Sequence, residues 1–376
     1  MKWLTAQAAA ARLGVKPQTL YAYVSRGRIT ARPADDDPRQ SLYSAADVAT
    51  LERRRRGGRG RKTVAAGAIS WGDPVLESAI TAVRDGRLIY RGVDAVTFAS
   101  TATIEDAARL LIGYAPDARR RSPGAAGGES AKARGFAFLA ARAASDPPSL
   151  GRRPEQLAAE SLDLIAGLGV AFAGADLADA HLHEHLATLW RLDARGADLV
   201  RRALVLVADH ELNPSTFAAR VAASTGAPVA AAALAGYATL SGPLHGEASA
   251  RAVLFLETAL RDGAQAAVNA TLARAEPLPA IGHALYPMGD PRAASLLKAL
   301  APSTPLQEAI DGAEAASGDH ANIDMALAAL TLDLDLPRDA PFVIFAGGRM
   351  AGWCAHAIEQ RETGRVIRPR ASYTGD

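Results

Sequence analysis

From Val221 to Leu244 the chain carries no charged side chain. A neutral stretch of that length has to be buried, either in a protein core or in a bilayer. It is made of Ala, Gly, Ser and Thr with Pro228 inside it, too weakly hydrophobic for a membrane span, so it reads as a buried pair of helices. The rest of the chain must supply the helices that bury it, and 376 residues of which 49% are hydrophobic suffice for two or three domains. The expected fold class is mainly α. The neutral stretch runs straight into Leu-Ser-Gly-Pro-Leu-His-Gly-Glu-Ala-Ser-Ala, residues 240–250. Glycine and proline end the helix there, and His245 sits on the turn that follows. Gly242 and Gly246 let backbone approach a ligand, so His245 is placed to act as acid, base or hydrogen-bond donor; it serves equally as a structural turn histidine.

Charge excludes little locally but much globally. Lys and Arg number 42 against 40 Asp and Glu, a formal charge of +2, so the chain as a whole has no electrostatic attraction for nucleic acid or membrane. The single Cys354 rules out an intrachain disulfide, and no basic-then-apolar leader follows Met1, so a cytoplasmic location is expected.

Residues 1–52 read as a small separate module. Thr5 caps a helix through Leu13, Gly14 turns the chain, and Pro17 opens a second helix to Ser25. Such a helix-turn-helix projects Gln18, Thr19 and Tyr21 toward a major groove. Ile29-Thr30-Ala31 and Ser41-Leu42-Tyr43 are expected to pair as a wing, and a third helix starts at 44–48. Leu-Gly-Val-Lys-Pro-Gln-Thr-Leu-Tyr in this setting resembles the winged helix-turn-helix of the MerR and excisionase type. Asp35, Asp36 and Asp37 load the wing with negative charge, which repels phosphates, so DNA binding through residues 1–62 stands beside a docking or dimer-contact role. Residues 53–65 follow as an arginine- and glycine-rich linker, either simply solvated or a phosphate-tracking arm.

Beyond the linker, residues 79–83 and 88–91 flank Asp85-Gly86, a hairpin signal. Helices are expected over 104–113, 131–144 and 154–168, with an Arg, Pro and Gly-rich loop at 119–129. His181-Leu-His-Glu-His185 looks at first like a metal cluster. Only two of its histidines share a helical face and no further ligand motif recurs, so a solvated helix start is expected and no metal is assigned.

The chemistry-bearing residues recur in four places. An apolar helix from Arg201 ends in Asp209-His210-Glu211 with Asn213 before Pro214, either a cap network or a ligand site. Gly282-His283 is followed by Tyr286 and Asp290-Pro291-Arg292. Asn322-Ile323-Asp324 puts a carboxylate at the head of an apolar helix, where loss of water raises its proton affinity as a general base requires. Gly348-Arg349 and Gly352-Trp353 precede Arg368-Pro369-Arg370. Histidines, one desolvated carboxylate and several arginines suit a small dicarboxylate held in arginine forks, with histidines to polarise carbonyls and the carboxylate to remove a proton.

Ala-Asp-His-Glu-Leu-Asn, Gly-Pro-Leu-His-Gly, Gly-His-x-x-Tyr with Asp-Pro-Arg, Asn-Ile-Asp, and Gly-Arg-x-x-Gly-Trp with Arg-Pro-Arg-x-x-Tyr-x-Gly together resemble citrate synthase, in order and at family-like spacing over residues 66–376. The resemblance implies a helical homodimer, with a large domain of residues 66–245 plus 335–376 and a small domain, 246–334, inserted into it. It implies condensation of acetyl-CoA with oxaloacetate, a tricarboxylic acid cycle reaction needing no cofactor, CoA entering as a substrate. Asp324 would remove the methyl proton, His245 would stabilise the enolate, and His283 would polarise the ketone. His210, Arg292 and Arg349 would hold oxaloacetate, with Arg368 reaching in from the partner subunit. Leu278, Pro279, Ala280, Ile281 and Gly282 would meet the CoA adenine through their main chain. Departures are Glu247, in place of a second glycine after His245 and so an anion beside the thioester site, and Ala284 and Pro287, where many members carry Arg and Lys. Propionyl-CoA, giving 2-methylcitrate, is an alternative substrate, since one methylene changes discrimination by only about 1 to 3 kcal/mol. A DNA-binding regulator sensing oxaloacetate, citrate or acyl-CoA is the alternative of another class.

Overall fold

A computed structural model describes residues 3–13, 15, 20, 23–24, 29–34, 41–49, 76–114, 127–177, 179–371, 373 and 375. The chain divides into two compact units, Met1–Glu77 with Arg370–Asp376, and Ser78–Pro369.

The first unit contains β1 (Trp3–Thr5), α1 (Ala6–Leu13), β2 (Ala31–Pro33) and β3 (Ser41–Ser44), followed by helical residues 45–49. Thr5 caps α1 as expected, its hydroxyl accepting from the Ala8 amide at 3.3 Å. β3 lies between β1 and β2 and is antiparallel to both, with Tyr43 opposite Leu4 and Leu42 opposite Arg32. β2 pairs with β3, but it runs Ala31–Pro33 and shares only Ala31 with the strand expected over 29–31; β1, three residues long, is too short for its alternation to be read. Ala9, Leu13, Leu20, Ile29, Tyr43 and Val48 form a small separate core. Gln18, Thr19 and Tyr21, the acidic run 35–37 and the linker 53–65 lie outside the described residues.

The second unit opens with β4 (Thr81–Arg84), β5 (Arg87–Tyr90) and β6 (Val93–Asp94), an antiparallel sheet in sequence order. Asp85 and Gly86 both take positive φ, 51° and 73°, the conformation that lets a two-residue turn follow the twist of its strands. Helices make up the remainder: α2 (Ala95–Phe98), α3 (Ile104–Ile112), α4 (Ala131–Ser145), α5 (Pro154–Ala173), α6 (Leu182–Trp190), α7 (Ala194–Leu206), α8 (Pro214–Ser224), α9 (Val229–Leu240), α10 (Ala248–Asp262), α11 (Ala264–Ala273), α12 (Pro291–Leu300), α13 (Thr304–Ser317), α14 (Ile323–Asp333) and α15 (Ala340–Glu362).

The neutral stretch supplies only the last turn of α8, residues 221–224, and all of α9, not a whole helix pair; the two helices pack on each other and on α15, with α9 also against α4, while Val221 and Leu244 at the ends of the stretch are exposed rather than buried. α15 is buried along nearly its whole length. A second group forms around α10, which packs on α11, α13 and α14, while α12 packs on α14. α5 extends five residues past the expected Leu168, because Gly167 and Gly169 do not break it: a side chain at Gly167 would collide with the Phe138 ring and one at Gly169 would press on His185. These glycines allow close packing instead, and the helix ends at Gly174 with φ 70°. α5 is also the one helix among the described residues long and apolar enough to cross a membrane, and 72% of its apolar window is buried within the protein.

Candidate active site

Two polar helix starts and a loop between them form the site. Asn322 caps α14: its Oδ1 accepts from the Asp324 amide at 3.0 Å, while its Nδ2 donates to the Gly282 carbonyl at 3.0 Å. The Asn322 amide donates to Ala280 O at 2.9 Å and Gly282 N donates to His320 O at 2.7 Å. The loop 278–282 is thereby laced to the segment before α14, with Ala280 and Gly282 at φ 56° and 75°. Gly282 cannot be replaced cheaply, since its φ of 75° strains any residue with a Cβ. The lacing delivers His283 from a rigid support. Its Nδ1 accepts from the Leu285 amide at 3.2 Å, which leaves the proton of the neutral ring on Nε2. Burial, assisted by Arg292, lowers its pKa and keeps the ring neutral.

Asp290 ties this region to α12 and α14. Its carboxylate accepts from the Arg292 amide (3.0 Å), from Arg292 Nε (2.9 Å) and Nη2 (2.8 Å), and from the Ile323 amide (3.0 Å). Burial alone would raise its pKa; the Arg292 guanidinium and these donors outweigh that and hold it ionised. Arg292, 2% exposed, stands over the Tyr286 ring at 5.4 Å, and its Nη1 makes no hydrogen bond to the described residues. Tyr286 OH lies 2.9 Å from His210 Nε2, and the His210 ring meets His283 edge-on with centroids 5.0 Å apart. Burial first, then Arg292 and Arg349, push His210 well below the usual histidine range.

α8 starts from the Asn213-Pro214 step. Asn213 Oδ1 accepts from the Ser215 and Thr216 amides, both at 3.1 Å, and lies 2.7 Å from Ser215 Oγ. The Ser215 hydroxyl donates to that Oδ1, and its oxygen also lies 2.9 Å from His245 Nε2. Trp353 Nε1 donates to the same Ser215 oxygen at 3.2 Å. Burial, with help from Arg349, brings the His245 pKa down to about 4. Gly246 is a packing requirement of this turn, since a Cβ would sit 2.6 Å from Leu240 O.

Arg349 enters from α15. Gly348 and Gly352 let that helix touch 204–209: a Cβ at Gly348 would strike the Leu204 carbonyl, and the Gly352 amide donates to Ala208 O at 3.0 Å. Arg349 Nε donates to Val207 O at 2.9 Å, and its guanidinium lies 4.9 Å from the Phe345 ring centroid. Its two terminal nitrogens have no protein partner among the described residues. The group is 1% exposed, and burial lowers its pKa to about 10. A buried guanidinium with free donors asks for an anion. Behind it, His356 Nε2 lies 3.2 Å from Asp209 Oδ2, His356 Nδ1 lies 2.9 Å from Arg220 Nη1, and Arg220 pairs with Glu359 at 2.6 Å. Asp209, the carboxylate of this chain, is held ionised against its burial by His356.

Asp324 faces the cluster from α14. Its pKa is raised, chiefly by burial, with Ser249 and Arg292 pulling the other way. Ser249 Oγ donates to Asp324 Oδ1 at 2.5 Å. A model of the citrate synthase C-terminal domain matches residues 138–370, more than half of the sequence. The chain belongs to the citrate synthase family. Citrate synthase 2 of Bacillus subtilis is 36% identical over 185 residues, 46% of this chain and 50% of the relative. The citrate synthase of Haloferax volcanii is 37% identical over 195 residues, 48% of this chain and 51% of the relative. The chain thus spans about half the length of these curated relatives. The crystal structure of citrate synthase from Thermotoga maritima is similar with a TM-score of 0.67 and 25% identity, covering 81% of this chain and 94% of that one.

Six of the residues singled out in the sequence converge in this citrate synthase-like fold: His210, His245, His283, Arg292, Asp324 and Arg349 feel one another's charge. Arg368 does not join them. It is exposed, one residue after Ile367, whose amide donates to Ser224 Oγ at the far end of α8 from Asn213. The length of α8 puts that end about 15 Å from the cluster. In the 278–282 loop, Ala280 O and the Gly282 amide and carbonyl are taken by 320–322, and the Ile281 main chain makes no hydrogen bond among the described residues. Glu247, expected as a potential anion, is ion-paired: its carboxylate contacts Lys132 Nζ from α4. His181 caps α6 and lies 3.1 Å from Glu105, and His185 is fully buried where a solvated helix start was expected. Among the described residues no group of three His, Cys, Asp or Glu could hold a metal. Sequence reasoning missed Ser215 and Ser249, which carry no motif of their own, and gave no separate role to Asp290, which it named only within Asp290-Pro291-Arg292.

Proposed function

We propose that the chain condenses acetyl-CoA with oxaloacetate and water to give citrate and CoA. The observation that carries this reading is the half-buried Asp324 carboxylate, its proton affinity raised, grouped with the buried Arg349, whose two terminal nitrogens make no hydrogen bond to the described residues, and the buried Arg292, whose Nη1 makes none. Arg349 and Arg292 Nη1 would hold the oxaloacetate carboxylates, with His210 beside them. Asp324 would take a proton from the acetyl methyl group as His245 donates to the enolate oxygen. The enolate carbon would then attack the oxaloacetate ketone, polarised by His283 Nε2–H, which gives its proton to the new alkoxide. Water would hydrolyse the citryl thioester and release CoA thiol. The adenine would meet the main chain of Ile281. Neutral histidines suit both donor roles, since burial keeps them uncharged at pH 7.

The assembly belongs to the same proposal. Residues 66–245 with 335–376 would form the large domain and 246–334 the small one, closing on the substrates to exclude water. A homodimer would bring Arg368 of one subunit to the other's cleft, a reading supported by its distance from its own. Acetyl-CoA is preferred to propionyl-CoA because the relatives described above are named for citrate. The first unit, with a helix at 6–13 and an antiparallel pair β2–β3, is best read as a winged helix-turn-helix-like module.

The test is CoA thiol release from acetyl-CoA and from propionyl-CoA, with and without oxaloacetate. Release from acetyl-CoA only when oxaloacetate is present is expected, and Asp324→Asn should abolish it while oxaloacetate still binds. No release from either acyl-CoA refutes the enzyme reading. A salt-dependent mobility shift on DNA, lost on deleting residues 1–62, would add the regulatory role.

A further inference from the structure

Asp324 is held by a residue from another helix. Ser249, with no solvent exposure, is the second residue of α10 and lies four residues beyond His245. α10 packs against α14, and across that contact Ser249 Oγ donates to Asp324 Oδ1 at 2.5 Å. The other carboxylate oxygen, Oδ2, makes no hydrogen bond to the described residues. The Asp324 backbone is fixed separately, through Asn322 Oδ1 at 3.0 Å.

We infer that Ser249 is the positioning residue for the general base: by holding Oδ1 it fixes the carboxylate plane, so that Oδ2 takes the proton from the acetyl methyl group. This rests on the proposed citrate synthase reaction and adds to it which oxygen acts and what aims it. A carboxylate anchored at one oxygen keeps one torsional setting, and positioning of that kind contributes to catalysis only if reacting atoms are aligned. The same bond sets basicity. A hydroxyl donating to the ionised form stabilises it and opposes the rise caused by burial. The other charges facing Asp324 act too, Arg292 and Arg349 lowering and Asp290 raising its proton affinity, and all three remain when Ser249 is changed. Because His245 and Ser249 are separated by one short stretch of chain, the enolate donor and the anchor of the base move together whenever α10 moves.

The experiment compares wild type with Ser249→Ala, Ser249→Cys and Ser249→Thr in the full-length protein. Alanine and cysteine, lacking a strong donor, should lower kcat by about 10- to 100-fold. KM for oxaloacetate should stay within about twofold, since the arginine grip is untouched. The acid limb of the kcat–pH profile should move up by about one unit, and the isotope effect with trideuteroacetyl-CoA should increase, because proton removal becomes slower. Threonine, which keeps the hydroxyl, should restore at least part of the rate and the position of the limb. Alanine and cysteine variants that match an active wild type in kcat and pH limb overturn the inference alone. A wild type that releases no thiol overturns the functional reading and this one with it. A variant that loses kcat and oxaloacetate binding together, with its pH limb in place, shows a structural role and also overturns the inference.

Discussion

Arg349→Met separates binding from folding. The guanidinium is 1% exposed, and burial brings its pKa from 12.5 to about 10. At pH 7 the group is charged in the folded and unfolded chain alike, so the depressed folded value costs roughly 3 kcal/mol of stability there. Methionine removes that cost, and loses the Nε bond to Val207 O, worth about 1.5–3 kcal/mol, and the contact with Phe345, worth about 0.5–1 kcal/mol. The two sides nearly cancel, so the thermal midpoint of the free protein should change by only a few degrees. Binding should not be spared. Removing one partner of a buried charge pair costs roughly 2–5 kcal/mol, so KM for oxaloacetate should rise by about 30-fold to several-thousand-fold. Thiol release at varied oxaloacetate measures this. Differential scanning fluorimetry adds a second reading, because oxaloacetate at about 100 times Kd should stabilise wild type by roughly 2.7 kcal/mol and the variant hardly at all at that concentration. A variant with KM within threefold of wild type and an intact oxaloacetate shift would refute the anion-grip assignment.

Gly348→Ala should lower the unfolding free energy by roughly 1–3 kcal/mol in urea titrations, because its Cβ meets the Leu204 carbonyl. Glu247→Gly should change turnover by less than about twofold and stability by less than about 1 kcal/mol, since Glu247 and Lys132, 33% and 29% exposed, already neutralise each other. Burial lowers the pKa of His245 to about 4, below its usual 6.5, so the unfolded chain binds the extra proton first. The resulting stability is fully present above pH 6.5 and is lost as pH falls toward 4, about 3 kcal/mol from this group at most. His245→Gln should therefore show a shallower fall in thermal midpoint between pH 7 and pH 4.5 than wild type.

What could be read from the sequence was short-range chemistry. Asn213 before Pro214, Asp290 before Pro291, Asn322 before Asp324 and Asp85 before Gly86 are signals complete within a few residues, and each marks an element boundary in the structure. The family motifs then named six residues that share one cleft. Long-range pairings were not legible. Glu247 and Lys132 are 115 residues apart, Ser249 and Asp324 75, and Arg220 and His356 136, and no local pattern says that such residues meet. For that reason the pairing of Glu247 with Lys132 and of Ser249 with Asp324 went unread. The five extra residues of α5 were missed for a related cause, since the partners that make its glycines useful, Phe138 and His185, come from α4 and α6.

Asp290 bears on how this cleft can be redesigned. One carboxylate accepts from the Arg292 side chain, from the first turn of α12 and from the first amide of α14. A substitution at Arg292 or Asp290 therefore unsettles the start of the helix that bears Asp324, and selectivity for a different acid cannot be changed there without disturbing proton removal. Arg349 hangs from a single main-chain carbonyl on a separate helix. Variation in the anion accepted has an open route through α15 and a closed one through Asp290, an asymmetry that a laboratory library aimed at new keto acids should follow.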